Sequence, residues 1–218
     1  SDSDLARALT QMGSIRLRAG HAPFIHLTRH ACHEAWLASF GAATRKSRRQ
    51  RRRRLEAQGV VGFRTLQAGP EAGRAARDIM ELKKGWMQAN GLRSRVLDDA
   101  LWSSSLLGIV AEPGSGAAVS CLTLDGRLVA GEIGFVAGRT YHSYLGSYDR
   151  ALSSVSPGTA QIIETVRWCF EAGIERVDLL PPADSYKRAW APPDARQPIA
   201  DHILSLDCVG MLAAAILV

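Results

Sequence analysis

The spacing of apolar residues along the chain predicts three helices. Apolar side chains recur every three or four positions over residues 75–87 and again over 162–170, which is the pattern of an amphipathic helix. Pro70 and Pro157 stand shortly before these segments, where proline suits the first turn of a helix. A similar but shorter pattern covers residues 97–106.

Runs of β-branched and apolar residues predict five strands. We expect them at residues 60–66, 117–124, 128–136, 139–148 and 175–180. Asp125-Gly126 is a strong signal for a two-residue hairpin turn, so the three middle strands should form an antiparallel meander. Because a helix and a further strand follow the meander, we expect a mixed α/β (α+β) fold. Its sheet would be mostly antiparallel and flanked by helices, with a right-handed crossover at the helix.

The composition is that of a globular protein and excludes several classes. The chain has 218 residues, of which 46% are hydrophobic and 22% charged, so it is too apolar for a disordered protein. The apolar run 209–218 is about half as long as a membrane span, and the first residues lack the basic-then-apolar order of a signal peptide. The four cysteines lie far apart with no C-x-x-C pair, which argues against a disulfide scaffold or a local zinc site. We therefore expect a cytoplasmic protein with reduced thiols.

The positive charge is concentrated in one segment. The formal net charge is +6, but eight of the 27 basic residues fall within Arg45–Arg54. The other 19 are outnumbered by 21 acidic residues, so the remainder of the chain carries about −2. Arginine, lysine and glutamine favour helices, and we predict one over residues 44–58 with almost no apolar face. Three interpretations stay open: a solvated helix; contact with a polyanionic substrate, cofactor phosphates or anionic lipid; or nucleic-acid recognition.

The first thirty residues are the hardest to place. They offer a short helical pattern near Leu5 and short strand patterns at 15–18 and 24–27, as expected of a fragment whose packing partners are missing. Histidines stand at positions 21, 26, 30 and 33, but their spacing does not place them on one helical face, and Pro23 interrupts the segment. We therefore expect no metal site here.

The segment Ser156-Pro157-Gly158-Thr159 stands where the helix over 162–170 should begin. Serine is a preferred N-cap residue, and Gly158 has no side chain to obstruct a ligand at its N–H. The free N–H groups and the positive dipole end of a helix start are what a phosphate group requires. Ordinary capping explains the same residues, so both interpretations stay open.

A second cluster of polar residues accompanies the last predicted strand. Asp178 lies inside an apolar run, where a carboxylate is costly to bury unless it is paired, so we expect a cation or backbone donors beside it. Lys187 and Arg188 follow between Tyr186 and Trp190 and could close over an anionic group. The alternative is a loop that its aromatic residues anchor while its charges stay solvated.

Taken in order, these segments resemble a known family. The basic helix before Leu55-Glu-Ala-Gln-Gly is followed by Ser147-Tyr-Asp149, by Ser156-Pro-Gly-Thr, by Val177-Asp-Leu-Leu and by Tyr186-Lys-Arg-Ala-Trp190. Over roughly residues 23–190 the series resembles the GNAT-type acyltransferases of the FemAB-like group, in particular the cellulose-biosynthesis-associated acetyltransferases. Members of that group commonly carry two GNAT-like halves. We therefore expect residues 1–30 to be the tail of a preceding half and residues 31–218 to form the acyltransferase domain.

The resemblance implies direct acyl transfer, without a metal, from a thioester such as acetyl-CoA or another acyl-CoA to an amine or hydroxyl. It places the pantetheine arm between two splayed strands, here 128–136 and 139–148. Its implied cofactor-binding residues, which hold the pyrophosphate, are Ser156, Gly158 and Thr159. Its implied catalytic residues are Glu132, Tyr148, Asp149 and Lys187, and its implied substrate-binding residues are Asp178, Tyr186, Arg188 and Trp190.

Each implied catalytic role has a structural alternative. Glu132 or Asp149 would take the acceptor proton, and Tyr148 would protonate the leaving thiolate. Lys187 would offset developing charge or bind the acceptor. Alternatively, Glu132 lies on the solvent face of its strand, Tyr148 and Asp149 form a strand-ending turn, and Lys187 is an exposed cation.

One departure from the wider superfamily leaves the donor open. Its usual Gln/Arg-x-x-Gly-x-Gly phosphate loop is absent, and Ser-Pro-Gly-Thr stands in its place. The donor could therefore be CoA, an acyl carrier protein or an aminoacyl-tRNA. We expect an acyltransferase that acts on a sugar, a polysaccharide precursor or an amino compound. The alternatives are a non-catalytic binding module and a transferase that holds aminoacyl-tRNA through Arg45–Arg54.

Overall fold

The computed structural model describes residue 11, residues 15–192 and residues 194–203. The chain divides into two compact units. The larger unit covers Ile25–Leu179 and contains most of the helices and strands. The smaller unit is formed by the described residues before position 25 and after position 179.

A sheet forms the centre of the larger unit. Its five strands are β2 (Val61–Gln67), β3 (Ala117–Leu124), β4 (Arg127–Ala137), β5 (Thr140–Tyr148) and β6 (Arg176–Asp178). They lie in the order β2-β3-β4-β5-β6, and only β5 and β6 are parallel. The predicted antiparallel meander is therefore confirmed, and the Asp125-Gly126 turn has the positive φ angles, 49° and 80°, that a tight hairpin needs.

Six α-helices surround this sheet in the described part of the larger unit. They are α1 (His33–Ala38), α2 (Ala42–Glu56), α3 (Pro70–Ala89), α4 (Arg95–Asp98), α5 (Ala100–Ala111) and α6 (Pro157–Glu171), with 3₁₀ turns at Leu27–Arg29 and Arg150–Val155. The helix predicted over residues 97–106 is split in two. The split occurs because the carboxylate of Asp99 accepts hydrogen bonds from the N–H groups of Leu101 and Trp102 and so begins a new helix.

The two faces of the sheet carry separate hydrophobic cores. Helices α3 and α5 cover one face, where Ile79 and Val110 pack against Ile133 of β4. Helices α2 and α6 lie on the other face, where Leu55 and Ala160 pack with the neighbouring Val129 of β4. Helices on both sides of a mostly antiparallel sheet confirm the predicted mixed fold.

The smaller unit contains a strand pair and a short helix. Strand β1 (Ile15–His26) pairs antiparallel with β7 (Arg196–Ile203), and α7 covers Ser185–Arg188. The two short strands predicted at 15–18 and 24–27 thus form one strand, which extends two residues into the larger unit. The predicted helical pattern near Leu5, Cys208 and the apolar run 209–218 all lie outside the described residues. Within the described part, no helix is long and apolar enough for a membrane crossing.

Candidate active site

The gap predicted between residues 128–136 and 139–148 does not exist. These segments are β4 and β5, and a ladder joins them from Ala130 opposite Tyr148 to Ala137 opposite Thr140. Consecutive antiparallel strands joined in this way leave no room for a cofactor arm between them. The prediction was wrong because it placed the opening between sequence neighbours, whereas the strand that departs from β5 is its parallel neighbour β6.

The opening in the sheet lies between β5 and β6. These strands pair over three positions only, from Thr140 opposite Arg176 to His142 opposite Asp178. Strand β6 ends there, while β5 continues to Tyr148. Among the described residues of the larger unit, this edge of β5 therefore has no strand partner beyond His142.

A bulge in β5 coincides with the start of the opening. On β4, Ile133 lies opposite Leu145 and the next residue, Gly134, lies opposite Ser143, so Tyr144 is an extra residue in β5. A bulge bends and twists the strand that carries it. Beyond His142, the backbone groups of β5 that face away from β4 have no strand partner among the described residues of the larger unit, so an extended ligand can form strand-like hydrogen bonds there.

The start of α6 differs from an ordinary serine cap. Ser156 is in the left-handed region (φ 53°, ψ 60°), and its side chain makes no capping bond to the helix. Its carbonyl instead accepts a hydrogen bond from the N–H of Thr159 at 3.0 Å. Within the described part of the chain, the N–H of Gly158 has no hydrogen-bond partner, as an anion-binding helix start requires.

Gly158 also makes room for an aromatic ring. A Cβ at this position would lie 3.2 Å from Cδ1 of Tyr148. The ring at the end of β5 therefore rests directly on the first turn of α6. This contact brings two of the predicted site residues together.

Three arginines of the basic helix line a cleft at the start of α6. Arg48, Arg51 and Arg52 enclose about 90 Å³ together with residues that include Ser156 and Thr159. Arg52 bonds to Glu164 of α6 at 2.8 Å, which fixes α2 against α6. Arg51 forms no ion pair among the described residues and is free to bind an anion at this cleft.

Arg48 is held differently from its neighbours. Its guanidinium lies 4.0 Å from the centre of the Phe40 ring. Burial, together with the nearby charge of Arg51, lowers the pKa of Arg48 to about 10. The arginine remains charged at neutral pH, so the cleft combines fixed positive charge with the dipole end of α6.

Glu132 is buried and does not lie on a solvent face, so that alternative was wrong. Its carboxylate accepts hydrogen bonds from the Tyr141 hydroxyl at 2.8 Å and from Ser143 Oγ at 2.6 Å. Burial, reinforced by the charge of Glu132, raises the pKa of Tyr141 well above its ordinary value, so the phenol stays protonated and donates. Glu132 lines neither the arginine cleft nor the cleft beside Tyr148.

Asp149 has structural partners at the end of β5. One carboxylate oxygen accepts a hydrogen bond from the N–H of Ala151, which caps the 3₁₀ turn, and the other pairs with Arg127 at 2.8 Å. Tyr148 and Asp149 also line a second, more open cleft of about 490 Å³ beside α3, where Trp86 contributes its indole. Asp149 is therefore held firmly in place at an accessible position.

Asp178 has the cation beside it that the sequence predicted, Arg176, and an imidazole, His142, as a second neighbour. Its Oδ2 lies 3.5 Å from Arg176 and 3.8 Å from Nδ1 of His142. His142 was not among the predicted site residues, because a single histidine in a strand carries no distinctive spacing. The glycines around Glu132 are a signal that the sequence does contain. Gly134 makes space for the Tyr141 ring, Gly146 for the Glu132 carboxylate and Gly131 for Ile79 of α3.

The remaining predicted residues belong to the smaller unit. Lys187 is buried rather than exposed, and its Nζ donates to the carbonyl of Leu180 at 2.9 Å and approaches that of Pro181 at 3.4 Å. Trp190 is buried as well, whereas Tyr186 and Arg188 are exposed. In the described part of the chain, no group of three or more histidine, cysteine or acidic residues could hold a metal ion.

Comparison with family models decides the assignment. An acetyltransferase (GNAT) domain matches residues 42–188, which is more than half of the chain. The chain belongs to this GNAT family. The comparison with curated proteins gives no match.

Solved structures resemble this GNAT chain in fold. FemX is 11% identical with a TM-score of 0.63, and the alignment covers 97% of this chain and 71% of FemX. L-PGS from Bacillus licheniformis is 12% identical with a TM-score of 0.58, over 99% of this chain and 71% of that one. A protein of unknown function from Bacteroides thetaiotaomicron is 12% identical with a TM-score of 0.58, over 93% and 67%. At these identities the likeness concerns the fold alone, and it confirms the predicted GNAT-like fold.

Proposed function

We propose that this GNAT domain transfers an acyl group from acetyl-CoA or another acyl-CoA directly to an amine or hydroxyl acceptor. The observation that carries the proposal is the open edge of β5, which runs from His142 to the start of α6 and its arginine cleft. From His142 to Tyr148 an extended strand spans about 20 Å. This is comparable with the length of an extended pantetheine arm.

The residues of the site would divide the work of binding and transfer. The N–H of Gly158, the start of α6 and Arg51 would bind the donor phosphates, with Ser156 and Thr159 lining the same cleft. Backbone N–H groups on the open edge of β5 would hold the arm and polarise the thioester carbonyl. Tyr148, which touches the start of α6, would protonate the leaving thiolate, and Asp149 is retained as a candidate base.

The first experiment is calorimetry on the full chain with acetyl-CoA and with an acetylated acyl carrier protein. We expect acetyl-CoA to bind, and Arg51→Gln to weaken binding about 10- to 100-fold because a charged hydrogen bond is lost. Arg53→Gln is the matched control, since Arg53 lies on the same helix but does not line the cleft. The proposal would be contradicted if neither donor bound, or if Arg51→Gln and Arg53→Gln weakened acetyl-CoA binding equally.

A second candidate function follows from the outer side of α2. Lys46, Arg49, Arg53 and Arg54 are exposed, and none of them forms an ion pair among the described residues. Such a row of cations suits a polyanion, so an aminoacyl-tRNA is the alternative donor. Binding to RNA should then fall steeply with salt, by about one log unit of affinity per log unit of salt for each phosphate neutralised. Arg53→Gln should weaken RNA binding, whereas unchanged binding at all salt concentrations would exclude this candidate.

The finer predictions are retained as proposals. They are the cellulose-biosynthesis-associated branch, an acceptor that is a sugar or amino compound, and residues 1–30 as the tail of a preceding GNAT-like half. Lys187 remains a proposed catalytic residue, and Asp178, Tyr186, Arg188 and Trp190 are each retained as residues proposed to bind substrate. Loss of turnover in Tyr148→Phe, Asp149→Asn or Lys187→Ala would exclude the remaining alternative, a non-catalytic binding module.

A further inference from the structure

We infer that His142, supported by Asp178, is the base that takes the proton from the acyl acceptor. The inference rests on the proposed acyltransferase function and adds a residue that the sequence did not indicate. Its first support is position. His142 and Asp178 form the last pair of the β5–β6 ladder, so they stand where the two strands part.

The second support is the geometry of the pair. Nδ1 of His142 lies 3.8 Å from Oδ2 of Asp178, close enough for the carboxylate to stabilise an imidazolium. The Asp178 side chain is 12% exposed and that of His142 is 34% exposed. A largely buried carboxylate thus stands behind an imidazole that a substrate can reach. Arg176 approaches the same carboxylate oxygen at 3.5 Å and holds it in place.

The third support comes from the opposite face of the sheet. Tyr141 and Ser143 are the neighbours of His142 in β5, and both donate hydrogen bonds to the buried carboxylate of Glu132. Because side chains alternate along a strand, His142 points to the other face. A buried carboxylate is costly without such hydrogen bonds, so Glu132 keeps the side chains of Tyr141 and Ser143 in place. The backbone of β5 is therefore fixed on both sides of His142. Glu132 is therefore a positioning residue rather than the base itself.

The proton transfer balances with the groups present. Neutral His142 takes a proton through Nε2 from the acceptor N–H or O–H as the acceptor nitrogen or oxygen bonds to the thioester carbon. The C–S bond then breaks, and its electron pair leaves on sulfur. Tyr148 protonates the leaving thiolate, and the imidazolium returns a proton to the Tyr148 phenolate through water, which restores both groups. Asp178 exchanges no proton in this step.

The test compares two nucleophiles in full-length His142→Gln. Acetyl-CoA is the donor, and release of free thiol measures transfer to ethanolamine, which is an ammonium ion at pH 7, or to hydroxylamine, which is already neutral. We expect kcat with ethanolamine to fall about 10²- to 10⁴-fold, and kcat with hydroxylamine to fall far less. His30→Gln, in the same unit, should change neither. A structural role for His142 would lower both rates alike, and that result would overturn the inference.

A second measurement does not depend on turnover. Diethyl pyrocarbonate acylates accessible neutral imidazoles, and mass spectrometry locates the product. We expect saturating acetyl-CoA to slow modification of His142 at least several-fold and to leave His30 unchanged. If calorimetry shows that acetyl-CoA binds while His142 is modified at the same rate, the inference fails and the proposed function stands. If acetyl-CoA does not bind at all, the proposed function itself fails.

Discussion

Replacing Gly134 with alanine should destabilise the larger unit by about 4 kcal/mol. The added Cβ would lie 2.2 Å from Cζ and 2.3 Å from Oη of Tyr141. That ring is fully buried and packs edge-on against Trp168 at 5.6 Å, so it has no solvent space to move into. Overpacking costs about 1–3 kcal/mol, and displacing the hydroxyl from the Glu132 carboxylate costs about 1–3 kcal/mol more.

Urea unfolding followed by tryptophan fluorescence measures this loss, since Trp168 reports directly on the contact. Gly108→Ala is the matched control, because no atom lies within 4 Å of its added Cβ and the residue is inside α5. It should raise stability by about 0.5–1 kcal/mol through helix propensity. Tyr141→Phe should cost about 1–3 kcal/mol by itself and should reduce the further cost of Gly134→Ala. A Gly134→Ala protein within 1 kcal/mol of wild type would refute the described packing around Glu132.

Three further predictions concern other parts of the larger unit. Burial raises the pKa of Cys121 from 9.0 to about 11. The folded protein therefore keeps a proton that the unfolded chain loses, and this thiol alone should lower the free energy of unfolding by up to about 1.4 kcal/mol per pH unit between about pH 9 and 11, in addition to the contributions of Cys169 and Tyr141. Urea titrations should show a shallower fall in Cys121→Ala, and an identical slope would contradict this assignment. Arg52→Gln should cost about 1–2 kcal/mol in the same assay because it removes one cation from the buried Glu164, whereas Lys84→Gln, at an exposed pair, should cost less than about 1 kcal/mol. Asp149→Asn keeps a capping side chain and should change the free energy of unfolding by less than about 1 kcal/mol. A loss of acetyl transfer in this variant would then show that the carboxylate takes part in the reaction. A large loss of stability would instead show that its ion pair with Arg127 is structural.

Local patterns predicted the elements of the fold well. Several elements lie within a few residues of their predicted positions: the hairpin at Asp125-Gly126, the helices that begin at Pro70 and Pro157, and the basic helix. Each depends on interactions between residues close in sequence, such as turn chemistry, proline at a helix start and apolar periodicity. The cation beside Asp178 was also foreseeable, because a carboxylate in an apolar strand requires one.

The location of the opening in the sheet was not predictable in the same way. It depends on which strand becomes the parallel neighbour of β5 and on how soon that strand leaves, and β6 is separated from β5 by the whole of α6. The same holds for the arginine cleft. The sequence shows the cations, but only packing of α2 on α6 through Arg52 and Glu164 brings Arg51 to the start of α6.

The sequence by itself determined the central strands and the longer helices, the mixed fold, the family resemblance and the types of residue available for binding and proton transfer. Tertiary structure alone decided which of them meet. It buried Glu132 against the hydroxyls of Tyr141 and Ser143, and it placed His142 beside Asp178 across β5 and β6. The physical reason is that element formation depends on neighbours in sequence, whereas a site is made by contacts between strands and helices far apart in the chain, which no local pattern encodes.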